Sequence, residues 1–141
     1  MAKQLGRALL VKIGDGEASE TFANLCGLNS KTLTINNTSI DVTTPDCTTP
    51  EGALWTETLA GLKNVSVSGD GFFEDSTAEA RMNTVTMQSD NQANFQILVP
   101  DFGTYAGAFR IASLEFGGET EGGVTYSISL ESTGVVTFTA A

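Results

Sequence analysis

The chain has 141 residues, enough for one domain with a single core and too few for two unrelated ones. Seventeen acidic against seven basic side chains leave a net charge of -10, the wrong sign for gripping phosphates, and the lack of histidine excludes His-based nucleophile triads and His-ligated zinc. An enzyme would have to work with carboxylates alone, and no motif for one is present, so no catalytic residue, cofactor or metal ligand is expected.

Near the start, the apolar run Ala8 to Val11 is flanked by Arg7 and Lys12 and falls short of a signal peptide's apolar region. No later run approaches the length that crosses a bilayer, so membrane insertion is not expected and folding in a cytoplasm is. There Cys26 and Cys47 read as free thiols. Alternating segments rich in Thr, Val, Ile and Phe, broken by Gly, Asn, Asp and Pro, predict antiparallel strands joined by turns. Leu5 to Ile13 is a first strand ended by Gly14-Asp15-Gly16, and Thr21 to Leu28 a second. From Lys31, Leu33 and Ile35 share a face, but the apolar parity then switches to Ile40 and Val42, which a bulge at Asn36-Asn37 would reconcile.

Thr43 to Gly52 reads TTPDCTTPEG, too polar for a core strand and longer than a tight turn, so it should be an exposed loop at the tip of a long hairpin. Leu54 to Leu59 and Val65 to Phe73 resume the sheet, with Val65, Val67 and Phe73 on one side and Asn64, Ser66 and Ser68 on the other. The lone Trp55 reads as a core or interface anchor. Ser76 with Glu79 three residues on is a capping box, which predicts one helix over Thr77 to Met87 that packs through Ala80, Val85 and Met87. Strands return at Ala93 to Val99 before Pro100, Thr104 to Phe116, Val124 to Leu130 and Val135 to Thr139. Both parities are apolar between Thr104 and Phe116, so that strand should be covered on both sides.

Gly14-Asp15-Gly16 and Gly69-Asp70-Gly71 lack the spacing of a phosphate loop and read as turns. The acids at Asp15, Glu17, Asp70, Glu74 and Asp75 lack a calcium ladder, and the sequons at Asn36, Asn37 and Asn64 are what an Asn-, Ser- and Thr-rich chain contains by chance.

Several stretches converge in order and spacing: LLVKIGDG, then GLNSKTLTINNTSIDVTT, LAGLKNVSVSGDGFF before the helix, VPDFGTYAGAFRIASLEFGGE, and a terminal VTYSISLESTGVVTFTA. Nearly end to end, the chain resembles the major tail tube protein of long non-contractile phage tails and of gene transfer agents. The resemblance implies an antiparallel β-sandwich or barrel with one flanking helix, similar to type VI secretion tubes, in a single domain spanning 1–141 with a hairpin loop at about 43–53. It implies homohexameric rings stacked into a hollow tail tube, with a tail terminator, a tape measure and distal tail or baseplate proteins as partners. DNA would pass through without specific binding.

Strand faces at Thr32, Thr34, Asp41 and Thr43, and at Thr125, Ser127, Ser129 and Glu131, suit a water-filled wall, and acids there would repel the phosphate backbone. The loop residues Thr44, Pro45, Asp46, Thr49, Pro50 and Glu51 would contact the adjacent ring, since a proline-stiffened tip is ordered at little entropic cost. The competing reading is a virion-surface, immunoglobulin-like adhesion or carbohydrate-binding module, which would be a stable monomer.

Overall fold

The computed structural model describes Lys3 and residues 5–141. Its elements run β1 (Leu10–Gly14), β2 (Phe22–Asn24), β3 (Leu28–Asp41), β4 (Thr58–Phe72), α1 (Thr77–Met87), β5 (Gln92–Val99), β6 (Gly103–Gly117), β7 (Thr125–Ser132) and β8 (Thr137–Ala140). All strand pairs are antiparallel and belong to one sheet, ordered β2-β1-β5-β6-β7-β4-β3, with β8 added to the first residues of β6. The sheet curls into a half-barrel with α1 against its inner side, the mainly β architecture with one flanking helix that the alternation predicts.

Period two decides what is inside. Val11 and Ile13 of β1, Val65 and Val67 of β4, Phe95 and Ile97 of β5, Phe109 and Ile111 of β6, and Tyr126, Ile128 and Leu130 of β7 are buried on one face. Register places them side by side: Ile97 opposite Tyr105, Ile111 opposite Leu130, Leu130 opposite Val67, and Val67 opposite Leu33. Burial of each such side chain contributes about 1.5–3 kcal/mol.

The helix occupies the span its capping box predicts. The Ser76 hydroxyl donates to the Glu79 carboxylate, although it caps no backbone amide. Its packing face differs from the expected one: Ala78, Met82 and Val85 are buried, while Ala80 and Met87 are exposed. Positions 78, 82 and 85 repeat at helical spacing, whereas 85 cannot share a face with both 80 and 87. Glu79 is also drawn inside, accepting a hydrogen bond from the Tyr126 hydroxyl at 3.0 Å.

Other expectations change at element ends. The first strand starts at Leu10 because Gly6–Ala8 close a 3-10 turn, whereas its partner β5 ends as expected at Val99, before Pro100, which lacks an N–H. The second splits at Leu25–Gly27, so that Leu28 already opens β3. Leu54 to Glu57 stay outside the sheet, which resumes at Thr58, and β8 begins at Thr137.

Gly69-Asp70-Gly71 is interior strand. A Cβ on Gly71 would lie 2.0 Å from the Gly27 carbonyl oxygen, so glycine is needed where the chain before β3 crosses β4 closely. Gly14-Asp15-Gly16 is a turn, with Gly16 at φ 80° and an Asp15 oxygen accepting from the Glu17 and Thr21 amides. β6 is not covered on both sides along its length. A bulge between Ile111 and Ser113 flips its parity, so Leu114 and Phe116 return to the face of Phe109 and Ile111.

Candidate functional site

The opposite face of β3, β4, β7 and β6 carries the polar half of the alternation. Cross-strand register sets out its rows: Ser30, Asp70, Ser127 and Glu115; then Thr32, Ser68, Ser129 and Ser113; then Thr34, Ser66, Glu131 and Arg110. Thr125 adds a further row with Phe72 and Gly117. Six residues singled out from the sequence, Thr32, Thr34, Thr125, Ser127, Ser129 and Glu131, therefore share one surface. The same alternation in the partner strands places Ser66, Ser68, Asp70, Ser113 and Glu115 beside them. Arg110 is held at 3.0 Å from Asp90, which offsets its charge and leaves Asp70, Glu115 and Glu131 to set the sign of the face.

Asp41 and Thr43 lie elsewhere. The irregularity near Asn37 inserts its extra residue in β4, around Gly61 and Leu62, where the Thr38 hydroxyl bonds both the N–H and the C=O of Leu62. Parity along β3 is thus unbroken: Asp41 follows Leu33 and Ile35, and Ile40 follows Thr32 and Thr34. Asp41 accepts from the Thr43 hydroxyl and amide, which hold its carboxyl below the ordinary carboxylate range. Thr43 in turn bonds the Glu57 backbone and, with the Val42 N–H to Glu57 C=O bond, closes the base of the loop.

Beyond that base Thr44, Pro45, Asp46, Thr49, Pro50 and Glu51 are exposed at the end of the hairpin. Small internal bonds, from the Thr48 amide to Asp46 and from the Gly52 amide to the Thr49 carbonyl, shape the tip. Trp55 is 85% exposed beside exposed Leu54, so it is no core residue of this chain, and Ile40 and Leu59 form an uncovered apolar pair on the hairpin. Cys26 and Cys47 are free and exposed. Among the described residues no helix is long and apolar enough to cross a membrane, and no cluster of acids and cysteines could hold a metal ion.

Among the described residues the short strands β2 and β8 are edges, and two longer edges are open as well. β3, 14 residues long, is paired only to β4, and β6 beyond Ile111 is paired only to β7. Long open edges are templates for pairing with another chain. The family model for the phage tail tube protein matches residues 3–138. The chain belongs to the phage tail tube protein family.

Solved structures agree with that membership. This tail tube protein is 31% identical to a chain in the tail of an empty gene transfer agent particle refined helically with C6 symmetry, covering 98% of this chain and all of that one at a TM-score of 0.86. It is 29% identical to a chain in the virion of a native gene transfer agent particle, with the same coverage and a TM-score of 0.83. The SPP1 tail tube shares the fold at 17% identity, covering 99% of this chain and 80% of that one, with a TM-score of 0.66. No curated protein sequence matches.

Proposed function

We propose that six copies of this chain close into a ring, that rings stack into the hollow tube of a phage or gene transfer agent tail, and that DNA passes through its bore. The observation that carries this reading is the 31% identical relative, whose full-length match belongs to a tail of C6 symmetry. The edges supply the physical reason: the open β3 edge of one subunit pairs with the open end of β6 on the next. That heterologous contact closes at six and leaves neither of these two long edges unpaired. Each subunit then gives four strands, β3, β4, β7 and β6, to a continuous barrel. Tilted strands about 4.8 Å apart, 24 in all, enclose a circle about 40 to 50 Å across, wide enough for duplex DNA.

In this arrangement the polar face lines the bore, with Thr32, Thr34, Thr125, Ser127, Ser129 and Glu131 on its wall, while Asp41 and Thr43 sit where the hairpin leaves it. Acids on the wall repel phosphates and keep DNA mobile. The loop bearing Thr44, Pro45, Asp46, Thr49, Pro50 and Glu51 reaches the adjacent ring. The whole chain acts as one domain, without catalysis. A tail terminator, a tape measure and distal tail proteins are its further partners, and assembly takes place in the host cytoplasm. Electron microscopy and sedimentation of the purified protein test this. Rings or tubes support it, and a monomer at all concentrations that is also missing from the tails of native particles contradicts it.

A further inference from the structure

The face of β3 and β4 is polar in its middle and apolar at both ends. At the hairpin end stand the Ile40 and Leu59 pair and, in the loop, Leu54 and Trp55. At the other end of β4, in the row of Thr125 and Gly117, stands Phe72, 54% exposed. Between them run the 15 residues of β4, about 45 Å at roughly 3.3 Å per residue. A cleft of about 480 Å3 opens beside Phe72, floored by the bare backbone of Gly117, Gly118, Gly122 and Gly123 and edged by Glu119 and Thr125. It combines what an indole needs: an aromatic ring to lie on, room left by absent side chains, and a carboxylate for the N–H. Phe73, Phe116 and Tyr126 pack edge-on and stacked behind it, which fixes that end of the sheet.

We infer that Trp55 of one subunit seats in the Phe72 and Gly117–Gly123 cleft of a subunit in the adjoining ring, as the main anchor between rings. The inference rests on the stacked-tube reading and names the receiving surface within it. Two unlike apolar patches at opposite ends of one strand meet only when copies stack head to tail, a contact that repeats without closing and so grows a tube. Within a single isolated chain Trp55 has no way to reach the cleft at the far end of β4.

Trp55 is the lone Trp, so its fluorescence reports its surroundings directly. Assembly should shift its emission to the blue and protect it from acrylamide. A Cβ on Gly118 meets nothing within 4 Å, so Gly118→Phe leaves the subunit folded while filling the cleft. Gly118→Phe and Trp55→Ala should each raise the concentration needed for tube growth roughly thirtyfold, about 2 kcal/mol at 1.4 kcal/mol per tenfold. Circular dichroism of the unassembled subunits should stay unchanged. Tubes in which Trp55 remains as exposed as in the monomer, or tubes of Gly118→Phe that form at the normal concentration, overturn the pairing while leaving the tube reading intact. Wild-type subunits that never form rings or tubes and are also missing from the tails of native particles overturn the tube reading instead.

Discussion

Glu79 is a carboxylate only 4% exposed whose described partners, Ser76 and Tyr126, are both neutral hydroxyls. Removing one leaves a buried acceptor short of a donor, so Tyr126→Phe should lower stability by about 1–3 kcal/mol in urea denaturation. Burial first, and the Glu79 charge second, push the Tyr126 hydroxyl well above its ordinary value. Its contribution to stability is fully present below about pH 10, where tyrosine ionises in the unfolded chain, and declines at higher pH as the unfolded state gives up a proton the folded state keeps. Stability measured from pH 9 upward should fall in the wild type and fall less steeply in Tyr126→Phe. At this scale the shared polar face was legible, because Thr32, Thr34, Ser127 and Ser129 follow simple alternation. Asp41 was misplaced: a bulge at Asn36-Asn37 would have brought it to the face of Thr32, but the extra residue lies in the partner strand, around Gly61 and Leu62, so the alternation of β3 runs on and sets Asp41 with Leu33 and Ile35.

Helix α1 shows how local and tertiary signals divide. Its start was legible from Ser76 and Glu79, whereas its inward face is settled by what waits beneath it, the Tyr126 hydroxyl and the β-sheet core. Met82→Ala, which empties a buried site, should cost about 2–5 kcal/mol, and Met87→Ala, at a position 78% exposed, should stay within about 0.5 kcal/mol by thermal or chemical denaturation. The opposite ranking would mean the helix packs through the other face. β6 illustrates the complementary failure. Apolar residues of both parities suggested two covered sides, but the bulge near Ala112 brings Leu114 and Phe116 to the side of Phe109 and Ile111 while Ala106 and Ala108 stay on the other, and no local residue signals it. The hairpin contributes little to the core, since its loop residues are exposed, so deleting Pro45 to Pro50 should leave a folded subunit of unchanged stability while stopping tube growth in electron micrographs.

For the whole molecule, the charge of -10 acquires a direction only through the sheet. Composition shows an acidic chain, and register turns Asp70, Glu115 and Glu131 toward one face with Arg110 held by Asp90. Ser129→Lys combined with Glu131→Lys should leave tube assembly intact and slow DNA delivery by particles carrying it, most strongly at low ionic strength, where screening is weakest. The decisive measurement is a cryo-electron microscopy reconstruction of native particles in which this chain is traced. It should find a hollow tail of six subunits per ring, with Thr32, Ser127, Ser129 and Glu131 lining the channel and α1 facing outward. Density for the chain at capsid vertices or fibre ends, or a channel lined by α1, would contradict it.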